Sequence, residues 1–318
     1  MNKEIRNTII FLALAVIVFV VINQLINSEA ISAYYARIII IICINIILAV
    51  SLNLILGFTG QLTLGHAGFM SIGAYASAMV TMKMNVPFPI ALLIGGIFAA
   101  FIGFLIGLPT LRLKGDYLAI TTLGFGEIIR VVIVNIDQLG GGRGLPGIPL
   151  KTTLPWVYFI MIFTVLIIYN IIRSSQGRAM MSVREDEIAA EAMGINTTKY
   201  KIMAFVIGSF FAGVAGGLFA HLMMYIKPDQ FDFLKSVDIV TYVVMGGMGS
   251  LSGSVLSAGI LTYLPEILRP LNNYRMIIYP MALIIIMRFR PQGLMGSKEL
   301  SFKLFEGLKK GSGKNDLT

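Results

Sequence analysis

The chain has 318 residues, 57% of them hydrophobic and only 13% charged, and its net charge is +9. A soluble globular domain carries about one quarter charged residues, so this balance and a mean hydropathy of +0.84 exclude a water-soluble fold and point to a polytopic membrane protein. A single cysteine (Cys43) and only two histidines (His66 and His221) exclude an intrachain disulfide, a thiolate cluster and a histidine-rich metal site.

Apolar windows fall at 9–26, 37–56, 67–82, 88–108, 117–135, 155–173, 201–226, 237–248, 252–268 and 274–289. A helical span takes about 20 residues, and several of these windows are short or interrupted by glycine. An all-α membrane domain of eight to ten spans, about ten, is therefore expected over 1–296, followed by a polar tail at 297–318. The first window follows Lys3 and Arg6 as a signal peptide would. It has no small-residue cleavage site before Glu29, and it reads as a retained span.

The second window carries Asn45 and Asn53 and runs into GFTGQLTLGHAGF (57–69), where glycines and polar residues break the helical pattern. MGGMGSLSGSVL (245–256) repeats that break in the second half of the chain. Backbone at membrane depth needs protein or a watery cavity for its hydrogen bonds. Paired broken segments point to a substrate path in transporters built from repeats. Packing of small residues explains 245–256 equally well. For 57–69 the hydrogen-bonding groups of Gln61, Thr63 and His66 favour the path, which Asn53 would also line. His66 suits either a proton relay or a hydrogen-bonded packing position.

Glu127 lies inside the fifth window, and a carboxylate at that depth costs a few kcal/mol unless it is paired or functional. Arg130, one turn on, is the obvious partner. An internal ion pair is the simpler reading, and a place on the path is the other. Further on, LGGGRGLPGIPL (139–150) excludes regular helix and reads equally as a simple turn or as a rigid, exposed face for a docking protein, with Arg143 then the charged contact.

Lys and Arg set the sidedness. Arg173, Arg178, Arg184, Lys199 and Lys201 mark 174–200 as cytoplasmic, and the basic tail and the Arg112–Lys114 turn fall on the same side. Both termini are then cytoplasmic, and 136–154 is external. The basic excess is this positive-inside bias and not a nucleic-acid surface.

Within 174–200, SVREDEIAAEAMG (182–194) gathers four acids into a chain that otherwise avoids them. Ser182 and Glu185 form a capping-box pattern that opens a helix at Val183, and Gly194 sits where a helix closes. Met181, Ile188, Ala192 and Ile195 then share one stripe, with Asp186, Glu187 and Glu191 elsewhere. Anionic headgroups repel such a helix, so a protein groove suits it better than lipid. No GxxxxGK[ST] loop is present, so any ATP-driven work comes from another polypeptide.

At this point the residues carry a resemblance. REDEIAAEAMGINTTKYKIMAF (184–205) resembles the cytoplasmic loop of ABC-importer permeases, with its E-A-x-x-G core reduced to Glu191-Ala192-Met193-Gly194. LNLILGFTGQLTLGHAGFMSIGAYASA (52–78), LKGDYLAITTLGFGEIIR (113–130), GG-x-GSLSG (246–253) and FRPQGLMG (289–296) resemble the branched-chain amino acid permeases of LivM type. The resemblance covers nearly all of the chain up to Gly296.

It implies a non-catalytic subunit in a prokaryotic inner membrane, in contact with lipid and translocating Leu, Ile and Val inward. Its implied partners are a homologous LivH-type permease, two cytoplasmic ATPase subunits that bind the ATP and Mg, and an extracytoplasmic substrate-binding protein. ATPase coupling would fall to Arg184, Glu185, Asp186, Glu187, Ala190, Glu191 and Gly194. The same scaffold carries urea, short amides or other amino acids in related systems. Of other classes, a passive channel would need no ATPase-docking helix, and an intramembrane enzyme would need a reactive constellation that the residues do not offer.

Overall fold

A computed structural model describes residues 15–26, 28, 31–290 and 292–296. Part of the first apolar window, 9–14, and the polar tail at 297–318 lie outside the described residues.

The chain is helical almost throughout: α1 (Ala15–Ile26), then α2 (Ala33–Leu56), α3 (His66–Met84), α4 (Phe88–Thr110), α5 (Asp116–Val134), α6 (Leu154–Arg173), α7 (Ser175–Glu185), α8 (Glu187–Ala192), α9 (Thr197–Met223), α10 (Phe233–Gly246), α11 (Leu251–Ile267) and α12 (Arg275–Phe289). Each apolar window of the sequence falls on one of these helices, and α7 and α8 occupy the segment between the sixth and seventh. Among the described residues, α2, α4, α5, α6 and α9 are long and apolar enough to cross a membrane. The fold is an all-α polytopic bundle.

Helix ends follow local chemistry. Proline in the first turn opens α4 and α6, where its missing N–H costs nothing. Asn85, in the left-handed conformation, closes α3. The one sheet is a two-residue pair, β1 (Leu145–Pro146) with β2 (Tyr225–Ile226), antiparallel with Leu145 opposite Ile226. It ties the 136–153 loop to the end of α9, and the Tyr225 hydroxyl donates to the Arg143 carbonyl at 2.6 Å. The Arg143 side chain is exposed at this end of the bundle.

The opposite end is defined by α7, α8 and the α4–α5 turn, where Lys114 pairs with Glu187 at 3.0 Å. Residues 292–296 lie there too. The Leu294 N–H donates to the Met245 carbonyl at 2.7 Å and the Met295 N–H to Gly246 at 3.2 Å.

At the centre, α3, α4 and α9 approach through small residues. A Cβ on Gly95 would lie 2.7 Å from the Gly73 carbonyl oxygen, and one on Gly213 would lie 2.9 Å from the Gly95 carbonyl oxygen. Gly103 faces Ser209 and Gly217 faces Ser77 as closely. In lipid, helices gain nothing from hiding apolar surface from water, so close backbone approach supplies the packing energy. α2 is also deeply buried, whereas α5 and α6 leave most of their surface outside the chain's own packing.

Gly95→Val should therefore wedge α4 away from α3 and α9 and cost roughly 1–3 kcal/mol, as overpacking does. Gly124→Ala, where no atom lies within 4 Å of the added methyl, should be neutral. Thermal unfolding of the two variants in detergent checks this: equal midpoints would refute the close-approach account.

Candidate functional site

The two glycine-rich breaks lie together. α2 ends at Leu56, the chain runs without helix to His66, and the 247–250 turn between α10 and α11 packs against the start of that run. The fully buried Asn53 side chain joins them. Its Nδ2 donates to the Ser250 carbonyl and to Ser254 Oγ, both at 2.9 Å, and its Oδ1 accepts from the Gly249 N–H at 3.0 Å. Gly249 has φ +85°, which favours glycine, and a Cβ on Gly57 would collide with both the Asn53 side chain and the Gly249 nitrogen.

The far end of the first break is held by other elements. The Leu64 N–H donates to Thr122 Oγ1 on α5 at 3.1 Å, and the Ala67 N–H donates to Ser236 Oγ on α10 at 3.2 Å. His66 is buried with Nε2 3.0 Å from Ser51 Oγ, and Gln61 is buried with Nε2 donating to the Lys201 carbonyl at 3.3 Å. The Thr63 side chain is also buried.

Residues 182–194 differ from the sequence expectation. No helix opens at Val183. The Ser182 hydroxyl donates to the Ala179 carbonyl at 2.8 Å, inside a helix that began about two turns earlier at Ser175. The break falls instead at Asp186, in extended conformation, whose Oδ1 accepts from the N–H groups of Ile188 (2.9 Å) and Ala189 (3.0 Å) and caps α8. A short carboxylate at this position competes for backbone donors that a continuous helix would use. The C-terminal expectation agrees with the structure, since Gly194 takes φ +81° one residue past the cap. Glu191 accepts from Thr197 Oγ1 at 2.7 Å and braces the turn into α9.

The resulting elbow turns Glu187 inward and its apolar Ile188 and Met193 outward, with Glu185 and Asp186 exposed beside them. Glu187 holds both Lys114 and Lys201. Partial burial pushes its carboxyl up, and the hydrogen bonds and charges of the two ammonium groups, Lys201 first, more than reverse this and hold it below the ordinary glutamate range. Ala190 is buried, but Ile188 is 76% exposed and Met193 is 83% exposed. Arg184 donates through Nη1 to the Gly57 carbonyl at 2.8 Å and binds the exposed Glu185 through Nε and Nη2.

A second polar region lies along α5 and the start of α10. Arg130 Nε bonds Glu127 Oε2 at 2.8 Å, the pair expected from spacing, and its Nη1 reaches Asp229 Oδ1 at 3.3 Å. Asp232 caps α10 by accepting from the Lys235 N–H at 3.0 Å. Lys235 Nζ donates to Asn45 Oδ1 at 3.3 Å, and Asn45 Nδ2 donates to Thr262 Oγ1 at 2.9 Å. Asp238 is exposed one turn beyond Lys235. Glu127 stands seven residues from the end of α5, about 10 Å along the axis.

Asn53, Gln61, Thr63 and His66 are thus inside the chain's own packing, while Glu127 stands on a charged face. The sequence reading missed Asp229, Asp232 and Lys235 because the eighth apolar window begins at 237, whereas Asp232 starts the helix at Phe233, and it passed over Asp238 as a lone charge inside that window. The cluster KPDQFDFLKSVD (227–238) was the available signal.

Comparison with known proteins places these features. A family model described as "Branched-chain amino acid transport system / permease component" matches residues 34–287. The "High-affinity branched-chain amino acid transport system permease protein LivM" of Escherichia coli (strain K12) is 36% identical over 275 residues, which are 76% of this chain and 65% of that protein. The chain therefore spans just under two thirds of that relative's length. "Probable branched-chain amino acid transport permease protein LivM" of Methanocaldococcus jannaschii is 25% identical over 66% of this chain and 69% of its own. "High-affinity branched-chain amino acid transport system permease protein LivH" of Escherichia coli (strain K12) is 31% identical over 47% of this chain and 49% of that one.

Two outcomes follow from the geometry. Asn53→Ala strips partners from Gly249, Ser250 and Ser254, and an abandoned buried group costs about 1–3 kcal/mol. Its unfolding midpoint in detergent should drop accordingly, and a wild-type midpoint would show that the breaks are held by something else. For Glu187, a depressed carboxyl stabilises above the ordinary glutamate range and loses that stabilisation as pH falls through its own lower value. The midpoint difference between wild type and Glu187→Gln should be present at neutral pH and shrink on acidification. A difference that is constant or grows in acid contradicts the two-lysine clamp.

Proposed function

Because the chain belongs to the branched-chain amino acid transport permease family, matched over residues 34–287, we propose that it is the membrane permease subunit of an importer that carries Leu, Ile and Val inward. It works beside a homologous LivH-type permease, takes its energy from two cytoplasmic ATPase subunits that hold the ATP and Mg, and receives substrate from an extracytoplasmic binding protein. It binds no cofactor of its own. The relatives' names support the substrate class, and the likeness to both LivM and LivH supports the paired permeases.

The observation that carries the reading is the α7–α8 elbow. Glu187 is held by Lys114 and Lys201, and Arg184 by the Gly57 carbonyl and Glu185. What the elbow offers outward is Ile188 and Met193 beside the exposed Glu185. An apolar knob on an anchored two-helix elbow suits a groove in a partner protein, which makes 174–200 the ATPase-facing side. The basic residues of that segment support a cytoplasmic side for it, for the Arg112–Lys114 turn and for both termini. Arg143, exposed at the opposite end beside the β1–β2 pair, faces the binding protein.

The charged face supports the second permease. Glu127, Arg130, Asp229, Lys235 and Asp238 lie on or beside a helix that leaves most of its surface uncovered, and ionised groups do not persist against hydrocarbon. Covered by a homologous chain, the same face becomes a polar passage in which a zwitterionic amino acid meets both signs of charge. The first break, held by Thr122 and Ser236, forms its wall, and Asn53, Gln61, Thr63 and His66 keep that wall in shape during alternating access.

The test expresses this chain with its second permease, the ATPases and the binding protein in cells that lack leucine uptake. Ile188→Asp and Met193→Asp should each retain at least tenfold less ATPase on purification and abolish uptake of labelled leucine, with the isolated chain's unfolding midpoint unchanged. Full ATPase retention in both refutes the docking surface. Uptake that urea competes away and leucine does not refutes the substrate class.

A further inference from the structure

We infer that Arg184 is the strut through which movement of the α7–α8 elbow reaches the two helix breaks, and so sets how much substrate each ATP moves. The inference rests on the permease reading above.

Arg184 stands in the last turn of α7, two residues before the non-helical Asp186. Its side chain runs into a slot whose walls are glycines. A Cβ on Gly60 would lie 2.9 Å from Arg184 Cγ, and a Cβ on Gly249 would lie 2.8 Å from Nη1. At the end of the slot, Nη1 donates to the Gly57 carbonyl at 2.8 Å. Gly57 in turn leans on Gly249, and the Gly249 N–H is held by Asn53. One guanidinium group therefore touches the exit of α2 and the α10–α11 turn together, which no other described contact of the elbow does.

The other edge of the guanidinium is occupied by Glu185, whose side chain is 70% exposed on the elbow's outer surface. A planar fork can hold a carboxylate on one side and a carbonyl on another in fixed geometry, which an ammonium cannot. The bland account is that Arg184 merely caps the carbonyl end of α2, where a cation is favourable. Capping requires neither a slot of glycines from both breaks nor a clamp by a solvent-facing acid. A strut requires both.

The remainder of the elbow is arranged as its counterpart. Past Asp186, Glu187 fastens α8 to Lys114 on the α4–α5 turn and to Lys201 on α9. The elbow thus has polar attachments on both sides of an extended residue (φ −156°, ψ 111°), Arg184 before it and Glu187 after it. α7 also packs through buried Met180 and Val183. A displacement of α8 that bends the chain at Asp186 must pull on Arg184 or break its bonds. The Gly57 carbonyl, the Asn53 amide and the 247–250 turn move with it.

The experiment reconstitutes the whole complex in liposomes and reads leucine uptake and ATP hydrolysis on the same sample, together with ATPase retention and unfolding midpoint. Arg184→Ala should keep its ATPases, continue to hydrolyse ATP and move at least tenfold less leucine per ATP, with its midpoint lowered by no more than the loss of one partner for the Gly57 carbonyl. Arg184→Lys reaches the carbonyl but cannot grip Glu185 with two edges, and should lose twofold to fivefold in the same ratio. A wild-type ratio in Arg184→Ala overturns the strut. So does a loss that tracks a lowered midpoint or missing ATPase in both variants, because that is the signature of a cap. If Arg184→Ala fails to assemble, Arg184→Lys decides by its ratio at normal midpoint. A wild-type complex that takes up no leucine with ATP overturns the permease reading, and this inference with it, whereas failure confined to the variants overturns this inference alone.

Discussion

The arrangement depends on one side chain, the buried amide of Asn53. Wherever a helix is broken inside an apolar bundle, its freed N–H and C=O groups need partners that lipid cannot supply. Here two breaks far apart in sequence supply each other. The amide's two polar atoms match a turn whose Gly249 N–H needs an acceptor and whose Ser250 carbonyl, already accepting from Ser254, takes a further donor. Glycine at 57 and 249 lets the backbones come close enough for that exchange. The FRPQGLMG segment then closes over the second break through hydrogen bonds to Met245 and Gly246. Four sequence motifs that looked independent therefore describe one junction.

The junction connects two surfaces of different chemistry. On one side stands the elbow, with Glu187 turned in and apolar tips turned out. On the other stands the charged face of α5 and α10, reached from the first break through Thr122 and Ser236. A rigid bundle core of α3, α4 and α9 sits behind both, packed backbone to backbone through glycine. Such cores shift as units, because close-packed interiors have few intermediate arrangements. The part of the chain free to change shape is the non-helical run from Gly57 to Gly65 with the 247–250 turn, and both surfaces are tied to it.

Much of this was legible in the residues. Every apolar window became a helix, because a run without charges that is long enough to span has no other way to satisfy its backbone in lipid. The breaks were visible as glycine clusters with polar companions, and the Glu127–Arg130 pair followed from helical spacing. What the sequence hid was partner choice at long range. Asn53 read as one polar residue on a span, since nothing local says that its partners lie some two hundred residues on. The helix start at 183 was misread because Ser182 and Glu185 fit a cap only if nothing helical precedes them, and α7 does. Hydropathy windows also passed over Lys235, because charges lower the score of the very turn that Asp232 caps, and they absorbed Asp238 as a lone charge.

Those overlooked charges explain why this chain does not complete its own site. Asn45 gives Lys235 a neutral acceptor, so the lysine is held without being neutralised, while Asp238 one turn away stays exposed. Arg130 is shared between Glu127 and Asp229, and Asp229 also has Lys227 at 3.6 Å, so Glu127 is the carboxylate without a cation to itself. A surface finished for lipid would pair each charge fully or dispense with it, because incomplete compensation at membrane depth is costly. A surface finished for tight protein packing would bury it. Partial compensation is the condition in which a passing ammonium and carboxylate can exchange places with the resident groups at little net cost. On the proposed reading, the residues that leave this chain's membrane face incomplete are those that a second permease would cover and a zwitterion would pass.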